Sequence, residues 1–175
     1  MAKEWIENLA QDIKQTNHEA ATDFGIAQHQ AAAVAQQGLP FFLAFTSALE
    51  QNITQLRGQL QGHPASSDTI FKTPTPAEIK VTRSRFPWFD ATILYRNDTI
   101  SLDYAKGLGI AGDPTPNYTP DRKTLNFTFQ SAPDNTLTLI ESFRDNPRQF
   151  REPEDLARYI TELLFLPTPS AVMTQ

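Results

Sequence analysis

"QQGLPFF", residues 36 to 42, decides how the first third of this chain is read. Gly38 suits the left-handed position that ends a helix, and Pro40 suits the first turn of the next. On that reading the stretch is a turn between two helices. Before it, Ile6, Leu9, Ile13, Ala20, Phe24, Ala27, Ala31 and Val34 recur mostly three or four residues apart, which marks one apolar seam. Thr16 interrupts that seam, and Gly25 is a weak point where the helix can bend. After it, Phe42, Phe45, Leu49, Ile53, Leu56 and Leu60 form a cleaner seam. Phe41, Leu43 and Ala44 make the start of this second helix apolar almost all round. A helix end of that kind is buried on several sides, in the core or against another subunit. The expectation for residues 1–61 is an antiparallel helical hairpin.

Residues 62–78, "GHPASSDTIFKTPTPAE", read as a linker, with Ile70 and Phe71 pinning it to the body. Residues 79–143 change period and read as strands. "FDATILYRNDTISLDY" has apolar arms around Asn97-Asp98, a two-residue hairpin turn that pairs Arg96 with Thr99 and sets Thr92 opposite Asp103. "TLNFTFQ" alternates, with Leu125, Phe127 and Phe129 inward, and "TLTLIESF" follows it after the loop "SAPDN". Clean alternation buries one face and wets the other, as antiparallel sheets do. "EIKVTRSRF" offers a fifth strand. A last helix begins near Pro153, with Glu154 and Asp155 in its first turn and Leu156, Ile160, Leu163 and Leu164 on one side. Residues 167–175 are a tail. The fold expected is two-layer α+β, one structural domain in which a helical hairpin and a C-terminal helix cover a four- or five-stranded antiparallel sheet of two β-hairpins.

"KGLGIAGDPTPNYTPDRK", residues 106 to 123, spaces Gly107, Gly109 and Gly112 as G-x-G-x-x-G. A dinucleotide site needs a helix opening on the third glycine. Pro114, Pro116 and Pro120 follow instead, and the last two cannot sit in such a helix. The stretch reads as a loop, with glycines that let backbone approach a ligand.

Other chemistry is sparse. With no cysteine, disulfides, thiolate metal sites and thiol nucleophiles are excluded. His18 and His29 are eleven residues apart, roughly 16 Å along a helix, too far to share a metal. No nucleophile elbow, phosphate loop or zinc-protease pattern is present. Asp90 sits diagonal to Asp103 on one sheet face, a geometry open to acid–base work or to simple solvation. The sharpest local feature is "RSRFPWF", residues 83 to 89, where arginines adjoin aromatics as on recognition surfaces. Simple strand parity would aim Arg83 and Arg85 toward the core, alongside Ile79 and Val81.

Charge is uneven. Residues 1–61 carry three Lys/Arg against six Asp/Glu, and residues 79–150 carry nine against eight. A net charge of −5 argues against general nucleic-acid binding. The first residues are acidic where a secretion signal is apolar, and the apolar run around "LPFFLAF" is too short to span a bilayer, so a soluble, cytoplasmic protein with no membrane association is expected. The function expected is a non-enzymatic interaction or assembly protein: a homodimer through the helical hairpin, able to take a protein partner and needing no cofactor or metal. The alternative is a binder of, or enzyme for, a small anionic ligand, held by Arg83, Arg85, Trp88, Tyr104, Lys106, Gly107 and Gly109.

Overall fold

In the computed structural model, which describes residues 4–63, 69–84, 88–107 and 122–166, the first element is one uninterrupted helix, α1, Glu4–Gln59, of 56 residues. The expected hairpin does not form. Gly38, Pro40 and Gly25 all lie inside α1. Pro40 removes one backbone donor, and an interior proline costs a helix about 3 kcal/mol. Aromatic packing on either side offsets that cost. Phe41 meets the ring of Phe129 edge-on at 5.3 Å, and Phe42 stacks on Tyr95 at 5.6 Å. Full burial, as at Phe42, contributes roughly 1.5–3 kcal/mol, and the partly buried Phe41 adds less. Gly38 is buried because the Tyr95 ring lies where a side chain would have been.

Among the described residues, seven strands follow α1 as an antiparallel meander in sequential order. They are β1 Thr69–Thr75, β2 Glu78–Arg83, β3 Trp88–Arg96, β4 Thr99–Gly107, β5 Arg122–Ser131, β6 Leu137–Glu141 and β7 Gln149–Phe150. The count exceeds the four or five expected. β1 occupies part of the stretch read as a linker, and β7 is two residues long. β1 is an edge strand, and Lys72 and Pro74 are the residues that protect an edge from further pairing. The central register agrees with the sequence reading: Arg96 pairs with Thr99, and Thr92 lies opposite Asp103. Asn97 takes φ 53°, the left-handed conformation this tight turn needs.

A second helix, α2, Pro153–Phe165, follows β7. The second half of α1 and all of α2 cover one sheet face. The core between them holds Phe42, Phe45, Leu49 and Ile53 of α1, Ile79, Ile93, Ile100, Leu102, Phe127 and Leu139 of the sheet, and Leu156, Ile160 and Leu164 of α2. The other sheet face carries Lys80, Thr92, Asp103, Asn126 and Thr128, none of them buried.

Candidate interaction surface

α1 outruns the sheet. Its last ties toward the N-terminus are two hydrogen bonds: Gln37 Nε2 donates to the Asn135 carbonyl at 3.4 Å and Gln30 Nε2 to the Ser131 carbonyl at 3.3 Å. Residues 5–32 are exposed throughout. The segment 4–29 therefore projects by roughly 39 Å at 1.5 Å per residue.

This projecting arm is not a polar helix. Trp5 is 58% exposed, Ile6 53%, Ile13 52% and Phe24 63%, and Leu9 is nearly half exposed. At 3.6 residues per turn, Ile6, Leu9, Ile13, Ala20, Phe24, Ala27 and Ala31 share an arc of about 80°. Val34, Gly38, Phe42, Phe45 and Leu49 fall on that same arc farther along, and all five are buried against the sheet. One stripe thus runs the length of α1, covered in the second half and bare in the first. Asp12, Glu19 and Asp23 line one flank of the bare half, roughly 60–100° from the centre of the stripe. Where the arm meets the sheet lies an open groove of about 1020 Å³, walled by Ala31, Val34 and Leu39 of α1, by Tyr95 and Phe129, and by the Asn97-Asp98 turn. By length and composition α1 could also cross a bilayer, but its most apolar part is the part packed on the sheet.

The residues singled out for an anionic ligand gather at the opposite end of the sheet. Arg83, Phe89 and Lys106 stand in one row across β2, β3 and β4, all toward the helices. What they meet is the end of α2. The Arg83 guanidinium lies over the Phe165 ring, 5.2 Å from its centroid, and Phe89 meets Phe165 edge-on. Lys106 Nζ donates to the Leu163 carbonyl at 2.6 Å and to that of Leu166. A helix C-terminus carries partial negative charge, so Lys106 serves it as it would have served an anion, while Arg83 lies against the last ring of the helix. Burial pulls the Lys106 ammonium below the usual lysine range, and Lys123 adds to the effect. The Trp88 ring lies across Gly107, leaving no space for a Cβ. Tyr104 is buried within the core. Arg85, Gly109 and Gly112 lie outside the described residues.

The carboxylates Asp90 and Asp103 do share a face, and Arg122 stands between them, 2.8 Å from Asp90 and 3.8 Å from Asp103. This is an exposed ion triad. Sequence reading overlooked Glu141, whose carboxylate is buried on the helix side with Arg144 Nε at 3.2 Å. Its signal was strand parity, since Leu137, Leu139 and Glu141 alternate inward. Burial pushes the nearby Tyr104 and Tyr159 hydroxyls above the usual tyrosine range, and Glu141 pushes both in the same direction.

The chain matches no protein-family model, no curated protein and no solved structure.

Proposed function

We propose that this chain is a non-enzymatic assembly protein whose projecting arm binds protein, first of all a second copy of itself. One observation carries this: a stripe of Ile6, Leu9, Ile13 and Phe24 is bare along an arm whose continuation buries the same stripe. Burying each of these side chains would contribute roughly 1.5–3 kcal/mol. A solitary helix held only at one end draws most of its stability from packing such a face, so the arm is built for a partner. The anionic-ligand reading is weaker, because Lys106 and Arg83 are engaged by the end of α2.

Sedimentation velocity of the full chain across the micromolar range tests the proposal. A dimer is expected for the wild type. A monomer is expected for Ile13→Asp with Phe24→Asp, with thermal unfolding of the sheet matching the wild type at concentrations too low for the dimer to form, since both side chains are exposed on the arm. A wild-type chain that stays monomeric at the highest concentration would defeat the assembly reading.

A further inference from the structure

We infer that two copies pair their arms antiparallel, so that Trp5 and Ile6 of each enter the groove at the base of the other's arm. The inference rests on the assembly reading and adds orientation, register and the anchoring residues.

Orientation follows from the single stripe. The face that is bare over residues 5–32 is the face the chain's own sheet covers from Val34 onward. A parallel partner lying along the bare half would drive the rest of its own 56-residue helix through that sheet. An antiparallel partner ends there instead, with its N-terminus arriving at the sheet.

Register follows from the span of the bare face, and the stripe is compatible with it. Full overlap of the exposed spans, residues 5–32, places the two-fold axis between His18 and Glu19, so facing residues have numbers that sum to about 37. The stripe maps onto itself at that same sum. Ile6 faces Ala31 of the second copy, Ile13 faces Phe24, Leu9 falls beside Ala27, and Asn17 faces Ala20. Trp5, Ile6, Leu9 and Ile13 lie in the first half of the arm, Phe24 and Ile26 in its second half, and Ala27 and Ala31 at its base. Antiparallel pairing therefore sets Ile6 against Ala31 and Leu9 beside Ala27, large against small as close interdigitation needs, while Ile13 meets Phe24 as two bulky side chains. Trp5 and Ile6 then stand at the mouth of the groove walled by Ala31, Val34, Leu39, Tyr95 and Phe129. Gln30, Asn97, Asp98, Gln130 and Ser131 line the same groove, and a tryptophan, with an apolar ring and one N–H donor, suits such a mixed lining as an interface anchor. Stripe, near flanks and groove walls come to about twenty residues a side, within the range of a stable interface of roughly 800 Å² per partner.

The chain has no cysteine, so single-cysteine variants report orientation directly. Ile6→Cys and Ala31→Cys chains are mixed at dimer-forming concentration and oxidised, and each is also oxidised alone. The expected product is the mixed 6–31 disulfide. Little is expected from Ile6→Cys alone, because its two thiols would lie roughly 38 Å apart along the pair. A 6–6 disulfide in a dimeric chain would overturn the antiparallel arrangement while leaving the assembly reading intact. A dimer giving neither product would place the interface elsewhere and overturn the inference alone. A wild-type chain that is monomeric would overturn both. Trp5→Phe and Trp5→Ala give a second readout: dissociation is expected to rise by about ten-fold or more for alanine and to change much less for phenylalanine.

Discussion

The Tyr95 hydroxyl rests against the backbone of α1, so that a Cβ on Gly38 would stand 2.5 Å from it. Tyr95 cannot easily give way, since Phe42 stacks on one side of it and Phe129 meets it edge-on at 6.2 Å. Gly→Ala inside a helix ordinarily gains about 0.5–1 kcal/mol. Here Gly38→Ala is expected to lose about 1–3 kcal/mol, as overpacking does. Tyr95→Phe removes the clashing oxygen and leaves the next ring atom at 3.3 Å. Chemical denaturation of the two single variants and the double variant should show the alanine tolerated far better beside phenylalanine. Equal losses in both backgrounds would mean that the contact does not govern this position.

That contact also explains what sequence could and could not disclose. Gly38 and Pro40 are the residues of a helix break, and they are equally the residues of a continuous helix that must admit an aromatic ring and tolerate one missing donor. Only the location of Tyr95, over fifty residues away, separates the two. The β3–β4 register was legible because Asn97-Asp98 fixes it locally, and the start of α2 because Pro153, Glu154 and Asp155 signal it locally. β1 was missed because "TIFKTPT" carries the lysine and proline of an edge, which dilute a strand pattern. The apolar stripe of the arm was legible from residue 6 onward. That it is bare depended on the chain not turning at Gly38, a tertiary outcome.

Lys106 holds the end of α2 through two carbonyls. Lys106→Met is expected to reduce stability by about 1–2 kcal/mol, from lost hydrogen bonds and a lost charge at the helix C-terminus. The same arrangement predicts that added phosphate leaves the wild-type melting temperature unchanged. A clear rise in Tm with phosphate would restore the anionic-ligand reading, because a ligand that binds only the folded state must stabilise it.

Glu141 and Arg144 differ in burial, and the difference sets unequal costs for their variants. The Glu141 carboxylate is buried, whereas Arg144 is about half exposed. Arg144→Ala leaves a buried charge without its cation and is expected to cost about 2 kcal/mol, below the 3–5 kcal/mol of a fully buried pair. Glu141→Gln removes the charge itself and is expected to be near neutral. If Arg144→Ala proved neutral as well, solvent rather than the arginine would be compensating the carboxylate.

Tyr95, Tyr104 and Tyr159 all ionise above the usual tyrosine range, chiefly because burial disfavours the phenolate. The unfolded chain therefore releases these protons at lower pH than the folded one. Stability from this source is complete below the unfolded value of about 10 and is lost as pH rises through the folded values. Ultraviolet titration should show delayed phenolate absorbance, followed by a steep rise as the fold opens. Ionisation of all the tyrosines at the ordinary value, with the fold intact, would contradict the burial of these rings.

Salt provides the last prediction, with an unusual sign. Asp12, Glu19 and Asp23 lie on one flank of the arm, and Lys14 lies toward the other. In an antiparallel pair like flanks face each other, so Asp12 approaches Asp23 of the second copy and Glu19 approaches its own counterpart. Such repulsion opposes association at low ionic strength. The screening length falls from about 30 Å at 0.01 M to about 8 Å at 0.15 M, so added salt should tighten the dimer. Asp12→Asn with Asp23→Asn should tighten it at low salt and remove much of the salt response. Sedimentation equilibrium at the two ionic strengths measures both effects. A dimer that loosens with salt would mean that attractive charge pairs hold it, which the antiparallel register does not provide.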